Sequence, residues 1–451
     1  MSDARARLAW PRAAFEHCAL SIDVHSPRLP LGRAHLLAST ALREARRAGV
    51  PADSIVSVGS LRRYAPDVGG VLLIAVADSS RSVDVLNGFA TLPMVSAVQA
   101  QTTRTISLAT SRGAISVQVV PPAQRGAAMI WHTGSRPHVE QLALRAARFG
   151  FRFSDGELVH PRRGSVDAGS EPVVYRHLGL PFIAPELREG HGEIEAAERG
   201  TLPELVSDMH IRGDLHMHSA WSDGRDSIAA MASAAQQIGY EYVAITDHSQ
   251  HAFSSRRLSI DDVGRQREEI AALRERMPEI VILHGVEVDI LKDGSLDFAD
   301  EILEGFDIVL ASLHDHGGQP PVELMARYLR AIEHPLVNVI THPANRTPAL
   351  APGYDLDFDI LFAAAAETGT AMEIDGAPGH LDMDGSVARR AVQAGVTVAI
   401  DSDCHRADAL ARQMRFGLGT ARRGWVAPHH VLNTRGVEQV RAFIAAKRAR
   451  A

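Results

Sequence analysis

Asp214-Leu-His-Met-His-Ser219 opens a series of seven short apolar runs, each of which breaks off in polar residues. The others cover 242–248, 280–289, 307–314, 337–342, 370–375 and 397–405. Amphipathic helical stretches separate several of them, at 227–238, 261–276, 322–332, 357–367 and 387–394. Strand-like runs alternating with helices predict a parallel sheet. Seven such repeats fit an α/β fold closed as a TIM-like (β/α)7 barrel, with closing helices at 409–415 and 437–446.

Upstream the pattern changes. A helix is predicted over 30–49, strands over 55–58, 71–77, 105–109 and 114–120, and a further helix over 139–149. This is α+β in character. A charged stretch punctuated by Gly and Pro separates the halves. The predicted organisation is an α+β domain over 1–183, a linker over 184–210 and the barrel over 211–451.

At 451 residues the chain is long enough for two domains, and 45% hydrophobic with 22% charged residues is a globular composition. No apolar run reaches membrane-spanning length, and the first residues lack a secretory signal pattern. Cys18 and Cys404 are the only cysteines, which points to a reducing cytoplasm rather than a disulfide framework. The net charge of -7 divides unevenly, with +5 over 1–200 and -12 over 201–451. The acidic half also holds 14 of the 22 histidines, as a site for several cations would require.

The ends of the runs carry the chemistry. His216 and His218 are two apart, so on a strand both imidazoles share a face. Asp223 follows in the next loop. Thr246-Asp-His248 ends the second run, and Gly285-Val-Glu-Val-Asp289 ends the third and offers Glu287. Ser312-Leu-His314, Thr341-His-Pro343 and Asp401-Ser-Asp-Cys-His405 supply His314, His342, Asp403 and His405. Cys404, between the last two, should face away. A single buried histidine is usually structural, but a ligand-type residue on six of seven strands, at the barrel end where such folds place their chemistry, argues for metal binding. Nine ligands exceed one ion's needs and suit three divalent cations. The mixed N/O set without thiolate fits Zn²⁺, Mn²⁺ or Fe²⁺. Cations about 4 Å apart suit phosphate-ester hydrolysis.

Together these motifs resemble the PHP (polymerase and histidinol phosphatase) family over about residues 208–448. The resemblance implies one metal on His216, His218, Glu287 and Asp403, a second on Glu287, His314 and His342, and a third on Asp223, His248 and His405. It also implies Arg346 and His380 as catalytic or substrate-holding groups, although polymerase-linked members usually carry Arg in place of His380. Asp247, Asp289 and Asp375 stand beside ligands and could orient imidazoles. His251, His284, His316, His429 and His430 read as surface or structural residues.

Val58-Gly-Ser-Leu-Arg-Arg63, Thr133-Gly-Ser-Arg-Pro-His138 and Leu178-Gly-Leu-Pro-Phe-Ile-Ala-Pro-Glu-Leu-Arg188 resemble the palm, thumb and connector of bacterial family X DNA polymerases, which carry a C-terminal PHP domain. The preceding half is therefore expected to be a nucleotidyltransferase-like palm and thumb. In that family Ser60, Arg62, Arg63, Gly134 and Ser135 match residues near the nucleotide. They either bind phosphate here or persist as fold-supporting turn residues. The family's carboxylates are missing, with Gly70, Leu72 and Ser116 at their expected positions, so Mg²⁺ would have no anchor. The resemblance implies a PHP hydrolase acting on DNA 3′ ends, as exonuclease or 3′-phosphatase, without polymerase or lyase activity. A small-molecule phosphatase of the histidinol-phosphate kind and a non-catalytic DNA-repair scaffold are the alternatives.

Overall fold

The computed structural model describes residues 28–252, 254–315 and 317–450, which leaves Cys18 and His316 outside the described residues. The chain divides into two compact units, one ending at Thr201 and the other starting at Leu202.

The first unit is built on a five-stranded sheet. Its strands are β1 (Ser54–Ser57), β2 (Val71–Val76), β3 (Val95–Gln101), β4 (Thr105–Thr110) and β5 (Gly113–Val120), in the order β1-β2-β5-β4-β3. Only the β2–β5 pairing is parallel. The apolar run Val-Leu-Leu-Ile-Ala-Val makes β2 a central strand, almost entirely buried. Helix Leu31–Arg47 lays Leu31, Ala34, Leu37, Ala38, Ala41 and Ala45 on one buried stripe, the three-to-four residue spacing of an amphipathic helix.

The sequence-based prediction lacks several features of this unit, among them helices Ser82–Ala90 and Glu171–His177. Edge strand β3 is exposed at six of its seven positions, so Val-Ser-Ala-Val-Gln-Ala-Gln carries no buried alternation to betray it. Helix Arg125–Thr133 contains Gly126, where a Cβ would stand 2.1 Å from the Ser170 carbonyl carbon; a residue that weakens local helix propensity is there for close packing. A hairpin of Arg152–Ser154 and Glu157–His160 is too short for a periodic signal.

The second unit is a seven-stranded, wholly parallel sheet. The strands are β6 (Gly213–Asp214), β7 (Tyr242–Ile245), β8 (Val281–Asp289), β9 (Ile308–Ser312), β10 (Val339–Ile340), β11 (Ala371–Asp375) and β12 (Val398–Asp401), neighbours in chain order. A parallel bridge between Met217 and Cys404 brings the two edges together, so the barrel is nearly closed. Helices follow the strands, and their starts are legible: Ser227, Ser259, Asp357 and Asp384 each cap a helix through the side chain.

Side-chain parity sorts the core into two layers. Tyr242, Ala244, Leu283, Leu310, Val339, Ala371 and Ala399 belong to one cluster, while Val243, Ile282, Val309, Ile340, Met372 and Val398 belong to another. These sets alternate along each strand, as inward and outward faces must. Continuing the first set by steps of two reaches Glu287 from Leu283, Glu373 and Asp375 from Ala371, and Asp403 from Ala399. The acidic residues therefore share the barrel's inner face. No helix among the described residues is long and apolar enough to cross a membrane.

Candidate metal centre

The regular strands are shorter than the apolar runs predict, because several stop before their ligand-type residues. His342 and Asp403 have φ of 24° and 46°, left-handed values that side chains other than glycine rarely adopt. These bends end β10 and β12 and turn the two residues across the barrel mouth. Backbone strain of this kind persists where surrounding contacts hold it and is concentrated at functional sites.

Glu287, fully buried at the end of β8, is the hub. Its Oε2 lies 3.4 Å from His216 Nε2, 3.5 Å from His218 Nε2 and 2.9 Å from His248 Nδ1. Its Oε1 lies 3.0 Å from His342 Nε2 and 3.5 Å from His314 Nε2. Asp403 Oδ1 approaches His218 Nε2 at 3.1 Å and His216 Nε2 at 3.7 Å. Asp223 Oδ1 approaches His405 Nε2 at 3.2 Å and His248 Nε2 at 3.6 Å. All nine predicted residues are thus brought to one place.

Among these nine, three groupings have ligand atoms within 4.8 Å of one another: His216, His218 and Asp403; His248, Glu287 and His314; and His218, Asp223, His248 and His405. His218 and His248 straddle groups rather than belonging to one. Donor chemistry fits cations. Glu287 Oε2, Asp223 Oδ1 and His248 Nδ1 are buried without a hydrogen-bond partner, although the 2.9 Å approach of Glu287 and His248 would allow one were the angles right. Lone pairs that converge without bonding each other are what a cation's ligand set requires.

Other residues set the imidazole tautomers. Glu373 Oε1 accepts from His216 Nδ1 at 2.6 Å, and Asp289 Oδ1 accepts from His314 Nδ1 at 2.8 Å. The carbonyl of Asp403 takes the Nδ1–H of His405 at 3.1 Å. In each ring Nδ1 is the donor to these oxygens and Nε2 is the nitrogen turned to the centre. Glu373 also accepts from the backbone N–H of His342 at 2.7 Å, so one carboxylate aligns two ligands. The sequence reading passed over Glu373; its signal was the two-residue step to Asp375. Among the described residues, Asp247 makes no hydrogen bond to an imidazole. It accepts from Ser219 and Ser222, backbone and hydroxyl alike, and from Gln266. That hub folds the loop bearing Asp223, and Gly224 permits the fold because a Cβ there would lie 2.6 Å from the His218 carbonyl.

Charge follows geometry. Burial pushes the Glu287 carboxyl up, but His248, His216 and His314 more than reverse this and hold it well below the usual carboxylate range. Burial, with the charges of His405 and His248, lowers His218 to about 4. His405 is lowered by burial but raised further by Asp403 and Asp223, to about 9.

Arg346 Nη1 is fastened to Asp384 Oδ2 at 2.9 Å, and its backbone lies in the loop that follows His342. His380 stacks on the His342 ring, with centroids 4.9 Å apart and planes 20° from parallel.

Known proteins share this arrangement of sequence. Residues 214–340 match the model of the PHP domain, and residues 128–189 match that of the DNA polymerase beta thumb. The DNA polymerase/3′-5′ exonuclease PolX of Bacillus subtilis is 36% identical over 86% of this chain and 68% of its own length. The chain belongs to the PolX family, the family X polymerases that carry a PHP domain. A probable phosphatase of Syntrophotalea carbinolica is 28% identical, over 51% of this PolX-family chain and 94% of its own. Polymerase beta of Leishmania infantum, in its ternary complex, covers 36% of the chain at 18% identity and a TM-score of 0.32.

Within this PolX-family chain the polymerase-like residues sit differently from the barrel's. Leu72 on β2 pairs directly with Ser116 on β5, and Gly70 immediately precedes β2, so the three positions are neighbours and none bears a carboxylate. Ser60 and Arg62 lie on the short helix Gly59–Arg62. Arg62 makes a bidentate ion pair with Glu171, at 2.6 and 2.8 Å, and reaches Thr133 Oγ1. Arg63 pairs with Glu189 at 2.9 Å and also donates to the Thr133 carbonyl. Gly134 adopts φ 67°, and a Cβ there would meet Arg63 Nη1 at 3.1 Å. Ser135 caps helix Arg136–Arg148 and donates its backbone N–H to the Arg188 carbonyl. The structure brings Arg62, Arg63, Gly134 and Ser135 together around Thr133, with both guanidinium groups held by carboxylates, and places Ser60 on the helix that carries Arg62.

Proposed function

We propose that this chain is a metal-dependent phosphoesterase acting at DNA 3′ ends, as a 3′-5′ exonuclease or 3′-phosphatase, without polymerase activity. The observation that carries this reading is the convergence of nine His, Asp and Glu side chains on Glu287, including buried lone pairs that meet no protein partner. Three cations of the Zn²⁺, Mn²⁺ or Fe²⁺ class account for that number of donors. Bound there, they supply Lewis-acid activation of water and of phosphoryl oxygens.

The chain's own residues do the rest. Glu373 and Asp289 hold protons at Nδ1 of His216 and His314, keeping Nε2 free to ligate. Arg346, steadied by Asp384, holds a phosphate of the substrate through its remaining guanidinium N–H groups. His380 lines the same mouth, stacked on His342. The polymerase-like half, residues 1–183, positions the strand. With Gly70, Leu72 and Ser116 in place of carboxylates it has no means of holding catalytic Mg²⁺.

A second reading, a small-molecule phosphatase, draws support from the similarity to a probable phosphatase and from the -12 charge of residues 201–451. Incubating the Mn²⁺-loaded chain with 5′-labelled single-stranded DNA, a 3′-phosphorylated oligonucleotide and histidinol phosphate separates the two. Preference for the oligonucleotides supports the first reading, and turnover of histidinol phosphate alone overturns it.

A further inference from the structure

The barrel mouth holds a further set of donors, of which the three-cation reading uses only Asp403. Asp375 ends β11, His380 lies in the loop that follows, and Asp403 lies just past β12. One ligand atom from each lies within 4.8 Å of the other two. Asp375 is completely buried; its Oδ1 accepts from the Ala377 N–H, but its Oδ2 has no partner. His380 Nδ1 is likewise buried and unpartnered. The His380 ring is pinned in orientation by stacking on His342.

Two buried carboxylates and an imidazole packed together, with orphaned donor atoms on two of the three, are costly until a proton or a cation joins them, and a cation satisfies all three at once. Neither Asp375 nor His380 has an arginine or lysine within ion-pair distance among the described residues. The N/O donor set excludes soft thiolate-seeking metals and suits Mn²⁺ or Zn²⁺. We propose that Asp375, His380 and Asp403 hold a fourth divalent cation, bridged to the other three through the Asp403 carboxylate. This inference rests on the metal-centre reading above and extends it. A cation there stands on the His342 side of the centre, next to the loop that carries Arg346.

The test is metal stoichiometry on the full chain, stripped with chelator and then dialysed to equilibrium against Mn²⁺, with bound metal counted by mass spectrometry. The wild type should hold four equivalents, and Asp375→Asn and His380→Gln three each. Anomalous diffraction at the manganese edge should place one peak between Asp375 and His380. Three equivalents in wild type and both variants would overturn the fourth site and leave the trinuclear reading standing. Fewer than three in the wild type would overturn both. If Asp375→Asn does not fold, as judged by its melting transition, the His380→Gln count and the wild-type anomalous map decide the matter alone.

Discussion

Glu373 Oε1 lies 2.6 Å from His216 Nδ1, while its Oε2 takes the backbone N–H of His342 at 2.7 Å. A single carboxylate, invisible from outside the barrel, thus sets the tautomer of one proposed ligand and the main-chain position of another. Partners of this kind typically govern metal affinity or activity by 10–100-fold. Glu373→Ala should therefore weaken Mn²⁺ binding by about 10–100-fold, with Glu373→Gln milder because its carbonyl can still accept from Nδ1–H. Titration calorimetry on the apo protein reads the difference, and equal affinities for wild type and Glu373→Ala would refute the role.

The Asp247 hub gives a second test. Gln266 links Asp247 to buried His284, donating to the carboxylate at 2.7 Å and meeting His284 Nε2 at 3.0 Å. Gln266→Leu strands His284 Nε2 and removes one of the five hydrogen bonds on Asp247, at a cost of roughly 1–3 kcal/mol for the buried polar group left unpaired. Urea unfolding of the variant should show that loss, and an unchanged midpoint would mean the link is idle.

His284 also predicts an acid limb of stability. Burial, with Arg267 nearby, pushes it down to about 4, against about 6.5 in the unfolded chain. The unfolded state then binds the proton more tightly. The stability is fully present above pH 6.5 and drains away as pH falls toward 4. By pH 5 this one group costs at most about 2 kcal/mol. Melting temperatures between pH 7 and 5 should fall less steeply in His284→Gln than in wild type, and parallel slopes would contradict the assignment.

In the polymerase-like half, Glu171 joins Arg62 to the completely buried Arg188. Glu171→Ala leaves that guanidinium buried without its carboxylate and should destabilise the unit by ~3–5 kcal/mol. Thermal melting will detect it. A near-neutral result would free Arg62 for the phosphate-binding role that the sequence left open.

How much of this could be read from the chain alone differs between the halves. The barrel announces itself because its strands are apolar runs whose last residues are His, Asp or Glu, a pattern that survives without knowledge of the partners. Glu373 escaped because nothing in Ala-Met-Glu-Ile-Asp separates it from an ordinary strand residue until parity is known. The engagement of Arg62 was out of reach for a different reason: Glu171 lies 109 residues away, and ion pairs leave no periodic trace. Edge strand β3 lacked a buried face to read.

The central claim is that the barrel centre hydrolyses phosphoesters while the palm does not polymerise. One time course decides it. The Mn²⁺-loaded chain is given a 5′-labelled primer-template with all four deoxynucleotides, beside its His342→Ala variant. The account predicts 3′ shortening or 3′-dephosphorylation by wild type, none by His342→Ala, and no extension by either. Primer extension, or undiminished hydrolysis in the variant, would contradict it.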